Sequence, residues 1–129
     1  MRFYSYIAKA MLALALSVSL FSAARAETIL IMFEAEGCPY CDLWKAQIGP
    51  IYPKTKESLI APLLIMDIDS PLPEGVTIVS DPIFTPTFVL VNDGQEVARL
   101  VGYPGEDFFW GLLDRMLSKL PEQNTEGSS

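Results

Sequence analysis

The chain has no histidine and only two cysteines in 129 residues. Without imidazole it lacks the usual proton shuttle near neutral pH and the commonest metal ligand. A tetrahedral zinc site would need two further ligands of the Cys/His type, and one chain cannot supply them. Basic residues are also scarce, with nine Lys and Arg against 16 Asp and Glu and a net charge of −7. That balance argues against nucleic acid or an anionic membrane as partner. Long apolar runs are few, and no internal repeat is visible. The stretch from Ala10 to Ala23 is too short and too rich in small residues for a comfortable membrane span.

That stretch has a different use. Arg2 and Lys9 precede it as a positive n-region, and Ala24-Arg25-Ala26 places small residues where a signal peptidase needs them. Residues 1–26 are expected to be a signal peptide cleaved before Glu27; the alternative is an uncleaved N-terminal anchor. Cleavage removes three basic residues and no acid. Six basic and 16 acidic residues remain, net −10. Steering would then favour a partner with a basic face. A cysteine pair exported through such a signal is most simply placed in a bacterial periplasm. Residues 27–121 are enough for one domain with a modest core, and 122–129 read as a flexible tail.

The two cysteines sit together, in Cys38-Pro39-Tyr40-Cys41. The run Thr28-Ile29-Leu30-Ile31-Met32-Phe33 before them reads as a buried strand, and the stretch from Asp42 to Ile48 after them has a helix-like mix. The motif therefore lies on a strand–turn–helix junction with Cys38 at the helix start. Free N–H groups and the helix dipole favour an anion there, and the thiolate is the reactive form of cysteine. Pro39 suits the first helical turn, where its missing N–H has no partner to lose. Cys38 is then the attacking nucleophile, and Cys41, one turn on, the resolving thiol. Other readings remain open. A structural i,i+3 disulfide would constrain the unfolded chain little. A Cu(I) thiolate site suits soft sulfur.

Further along, Gly49-Pro50 and Pro53 interrupt the first helix. A second short helix is expected over residues 54–60, stopped by Pro62. Leu63-Leu64-Ile65-Met66-Asp67-Ile68 reads as a central strand, and residues 76–80 are ambiguous between a helical turn and extended chain. A third strand starts near Thr87, with Pro86 tolerated at its first position. Asp93-Gly94 between apolar runs signals a tight hairpin into a fourth strand, Gln95 to Val101. Residues 106–120 carry apolar side chains at helical spacing, ended by Pro121. A helical crossover followed by a hairpin makes an α/β domain with a mixed sheet and helices on both faces. Trp44 reads as core. Phe108, Phe109 and Trp110 cannot all face one core, so one of them is expected at the surface.

A strand, Cys-x-x-Cys at a helix start, a Thr-Pro-Thr-Phe strand (residues 85–88), an Asp-Gly hairpin and a C-terminal helix together resemble the thioredoxin superfamily. The likeness covers nearly all of residues 27–121 and implies a thioredoxin-like fold with a four-stranded sheet. Cys-Pro-Tyr-Cys is similar to the motif of glutaredoxins. The resemblance implies that the peptide bond before Pro86 is cis and that Pro86 lies against the cysteines. It also implies that the Thr85 backbone pairs with a substrate peptide and that Gly102 leaves room for substrate. Tyr40, inside the motif, is expected to be exposed and able to contact a partner.

The departures are informative. The family's buried Asp is Met32 here and its Lys partner Ile65, so proton removal from Cys41 needs water or another group. Glu34 and Gly37 replace the two flanking tryptophans. Glu36 and Asp42 add negative charge that opposes a thiolate, and an acid-bordered site does not suit glutathione. More narrowly, Glu-Ala-x-x-Cys-Pro-Tyr-Cys and Tyr52-Pro53-Lys54-Thr55 resemble the small exported thioredoxin-like proteins of bacterial sulfur-oxidation (Sox) systems. That likeness implies an enzyme without cofactor or metal, a monomer that reduces an oxidised cysteine on a sulfur-carrier protein. A membrane thiol-electron transporter would then supply its electrons. The alternatives are a periplasmic disulfide oxidase or isomerase, for which the usual extra domains have no room, and a non-enzymatic Cu(I) chaperone.

Overall fold

A computed structural model describes residues 27–122. The expected signal peptide, and all but the first residue of the expected tail, lie outside the described residues. The elements run β1 (Thr28–Glu34), α1 (Pro39–Gln47), a 3-10 turn (Tyr52–Lys54), α2 (Lys56–Ile60), β2 (Leu63–Asp67), β3 (Thr87–Asn92), β4 (Gln95–Val101) and α3 (Glu106–Leu117). The sheet order is β2-β1-β3-β4, with β1 and β2 parallel and the other pairs antiparallel. This is the mixed four-stranded α/β sheet read from the sequence.

The period-2 alternation of a strand sends neighbouring side chains to opposite faces. Leu30 and Met32 of β1 and Phe88 and Leu90 of β3 face one side, where they pack with Trp44 and Ile48 of the α1 region, Tyr52, and Phe109, Leu113 and Met116 of α3. Ile31, Phe33, Val89 and Val91 face the other side. The centre of the first core is aromatic. The Trp44 ring lies 5.2 Å from that of Phe88 and 5.6 Å from that of Phe109, and it is fully buried.

The structure corrects three expectations. β2 is an edge strand, not a central one, and Leu64 and Ile65 are partly exposed on it. The helix expected over 54–60 divides at Thr55, whose extended backbone ends the 3-10 turn and whose hydroxyl caps α2 through Ser58 N–H. No helix covers the second face of the sheet among the described residues. Leu72, Val76 and Ile78 from the Pro-rich connection roof it instead, because prolines at 71 and 73 leave that segment few helical options.

The ambiguous stretch 76–80 is extended chain held by distant partners. Thr77 forms a parallel bridge with Gln95. Val79 N–H donates to Glu96 Oε2 at 2.7 Å, and Arg99 Nη2 donates to the Ser80 carbonyl at 2.8 Å. Glu96 and Arg99 are themselves paired, Nε to Oε1 at 2.6 Å. The hairpin reading holds: Asp93 (φ 51°) and Gly94 (φ 77°) form a two-residue turn with both φ positive, the type matched to strand twist. An added Cβ at Gly94 would collide with the Gly75 carbonyl, so the turn also supports the roof.

Trp44→Ala is expected to cost about 3–5 kcal/mol of stability by urea denaturation, from lost burial plus a residual cavity. The Glu96 carboxyl is held below its ordinary value of 4.5, chiefly by the hydrogen bond from Arg99 and against the opposing effect of burial. Its contribution to stability is therefore present above the unfolded-state value and lost as the pH falls through the lowered one. Glu96→Gln should lower the urea midpoint at neutral pH. The deficit should vanish once the pH is below the folded carboxyl's titration; a pH-independent deficit would show that the charge is not what pins the loop.

Candidate active site

β1 ends at Glu34, and a short turn with Gly37 at φ 73° delivers the chain into α1. Cys38 is the N-cap of that helix, with extended backbone (φ −89°, ψ 103°) and Pro39 in the first turn. Its Sγ accepts the Cys41 N–H at 3.1 Å. A sulfur thus occupies the place of a capping oxygen, where the helix field favours negative charge. Cys38 and Cys41 form a disulfide with Cα atoms 5.2 Å apart. Cys38 is 8% exposed and Cys41 1%, so only the N-terminal sulfur is open to an approaching group. The buried one is backed by the aromatic core through Trp44, three residues on.

Charge around the disulfide is mostly negative. Glu36 and Asp42 are exposed beside it. A cation close by is Lys45, whose Nζ lies 2.7 Å from Glu34 Oε2 and 3.5 Å from Asp42 Oδ1. Its pKa is raised, first by the hydrogen bond to Glu34. Lys45 is thus committed to carboxylates. Met32 is fully buried and pairs in register with Ile65. An apolar cross-strand pair therefore occupies these two positions, with no carboxylate or lysine at either.

The cleft next to the disulfide gathers most of the remaining sequence candidates. Tyr40, Thr85 and Gly102 line it together with Val101, Tyr103 and Leu112, around a volume of about 540 Å³. Tyr40 is 60% exposed. The Thr85–Pro86 peptide bond is cis. Pro86 is buried below the cleft, and its carbonyl accepts the Gly102 N–H at 2.7 Å. That bond ties the two loops of the cleft together. Among the described residues, nothing pairs with the backbone N–H or C=O of Thr85.

Sequence reasoning missed Val101, Tyr103 and Leu112. Tyr103 anchors the loop after β4: its hydroxyl donates to Gln47 Oε1 at 2.7 Å, and burial followed by the nearby Glu106 pushes its pKa up. No local signal marks these residues, since the cleft forms only when β4 and α3 fold back on α1. No group of three or more His, Cys, Asp or Glu side chains that could hold a metal occurs among the described residues.

Reduced protein treated with iodoacetamide should label Cys38 at least roughly tenfold faster than Cys41, since thiolate character and access both favour the N-cap sulfur. Peptide mass mapping reads the order, and faster labelling of Cys41 would reverse the assignment of roles.

Comparison with known proteins adds to this geometry. A family profile for the thioredoxin-like domain matches residues 19–117. Among solved structures, the chain is similar to the periplasmic thioredoxin SoxS from Paracoccus pantotrophus. The two share 47% identity over 72% of this chain and 98% of that one, with a TM-score of 0.70. It is also similar to a thioredoxin from Malassezia sympodialis, Mala s 13, at 21% identity over 71% and 76% of the two chains and a TM-score of 0.48. Comparison with curated proteins gives no match. With its Cys-x-x-Cys pair closed as a disulfide at a helix start, the chain belongs to the thioredoxin-like family and is a thiol-disulfide oxidoreductase.

Proposed function

We propose that the protein is a periplasmic reductase that restores the active thiol of a sulfur-oxidation carrier protein. The observation that carries this reading is the 47% identity to a periplasmic Sox thioredoxin across 98% of that chain. The signal-like residues 1–26 are consistent with export.

The chemistry follows from the dithiol. The Cys38 thiolate attacks the sulfur of the carrier's cysteine that is joined to another sulfur, forming a mixed disulfide and expelling the second sulfur as a thiolate. Cys41 loses its proton, attacks Cys38 Sγ and closes the Cys38–Cys41 disulfide, releasing the carrier's cysteine as a thiolate that takes up a proton. The substrate gains two electrons and the dithiol loses two. With Met32 and Ile65 in the place of a buried acid and lysine, the Cys41 proton leaves to water. Thr85, Pro86, Tyr40 and Gly102 form the ledge and cleft that hold the carrier's polypeptide while Cys38 attacks. A membrane thiol-electron transporter then returns the dithiol to its reduced form.

Two measurements on mature 27–129 test this. Equilibration with a defined thiol buffer should give a potential of about −200 mV or lower, the glutaredoxin range. A value of about −120 mV, where strong periplasmic oxidants sit, overturns it in favour of an oxidase. Cys41→Ser should trap a mixed disulfide with the oxidised carrier through Cys38, and Cys38→Ser should trap none.

A further inference from the structure

The roof of the sheet carries a second concavity. Ser80, Pro82, Ile83, Phe84, Arg99 and Val101 wall a groove of about 120 Å³, room for one aliphatic side chain. Val101 lines both this groove and the cleft beside the disulfide. Thr85 of the cleft directly follows Phe84 of the groove, so the two hollows meet at the unpaired Thr85 backbone.

The apolar walls of the groove face solvent. Ile83 is 82% exposed, Phe84 67% and Val101 53%. The segment that carries Ile83 and Phe84 is nonetheless held at both ends. Arg99 holds the Ser80 carbonyl, and the Thr87 hydroxyl donates to the Phe84 carbonyl at 2.6 Å. A backbone that is already held has little loop-ordering cost left on binding, which favours recognition. Arg99 is already neutralised by Glu96, at 2.6 and 2.8 Å. The spare charge at the rim is Asp81, in no ion pair among the described residues.

We propose that this groove is a docking subsite for the polypeptide whose cysteine meets Cys38. It takes one aliphatic side chain of that segment, with a basic residue beside it. The proposal rests on the reading that Cys38 attacks a partner polypeptide. Such a chain must run over the cleft to bring its sulfur to the disulfide. Pairing with the open N–H and C=O of Thr85 would lay it down as an added strand. Side chains along a strand alternate, so residues two apart point to the same side. The nearest side chain on the same side as the cysteine is two positions away, and the groove takes that one. The basic neighbour follows from Asp81 and from the excess of acids over bases in the chain.

The test uses reduced mature protein and short synthetic cysteine peptides, each capped as a mixed disulfide with mercaptoethanol. Leu, Ser or Glu is placed two residues before or after the cysteine, with Lys or Glu two residues further out, on the same side of the strand. Released mercaptoethanol gives the second-order rate constants. The Leu/Lys peptide should react about tenfold faster than the Ser analogue at one of the two positions, since the groove takes the leucine side chain partly out of water. The Glu analogues should be slowest. Ile83→Ser with Phe84→Ser should erase the preference for Leu. Both side chains are largely exposed, so the unfolding midpoint should hold; if it falls, Ile83→Ser alone serves. Equal rates with every peptide, or a Leu preference that survives in the variant, overturn the groove while leaving the reductase intact. Failure to reduce any peptide overturns both readings.

Discussion

The indole of Trp44 is wedged between Phe88 of β3 and Phe109 of α3, and the position of the disulfide depends on it. Trp44 lies three residues beyond Cys41, on the same face of α1. Fixing its ring against the sheet drives Cys41 into the core and leaves Cys38 at the helix end, near the surface. Each aromatic contact adds about 0.5–1.5 kcal/mol beyond area burial. Against this, the buried indole N–H has no hydrogen-bond partner among the described residues, at a cost of about 1–3 kcal/mol. The aromatic packing is therefore strong enough to hold an unsatisfied donor in place, and the asymmetry between the two sulfurs follows from it.

Around that anchor the charges arrange themselves at the periphery. Beneath the cysteines the sheet is apolar, since Met32 is buried and pairs with Ile65. The ionic contacts near the site, Lys45 with Glu34 and Asp42, sit at the end of β1 and along α1. A thiolate at Cys38 thus draws on the N-terminal field of α1 and the Cys41 N–H, with Glu36 and Asp42 acting against it. The hydrogen bond from Gly102 to Pro86 joins two loops, distant in sequence, and Thr85 and Gly102 share one cleft with Tyr40 of the Cys-x-x-Cys turn. The pinned segment from Thr77 to Phe84 extends that surface, since Val101 lines both the cleft and the groove next to it.

Much of this was legible before folding, because local chemistry carried it. The hairpin followed from Asp93-Gly94, since those residues tolerate the positive φ that a two-residue turn requires. The helix start at Cys38 followed from Pro39 and the change from strand-like to helix-like pattern. The core assignment of Trp44 followed from its place one turn beyond Cys41. Three aromatics in a row had to leave one at the surface, but only the packing of α3 made that one Phe108, 70% exposed. Other elements misled. The run from Leu63 to Ile68 looked central because an apolar strand does not reveal how many neighbours it has; only the sheet order puts it at an edge. Residues 76–80 had no readable pattern because their hydrogen bonds go to Glu96 and Arg99, far along the chain.

What the amino-acid sequence determined by itself was the reactive pair, its place at a helix start, the scarcity of metal ligands and the order of elements. Each depends on residues within a few positions of one another. Tertiary structure alone decided what lines the cleft and how the second face of the sheet is covered. Val101, Tyr103, Leu112 and the exposed Ile83-Phe84 acquire their meaning only when β4, α3 and the roof segment converge on α1. Contacts of that kind are set by packing between elements far apart in sequence, and no local pattern encodes them.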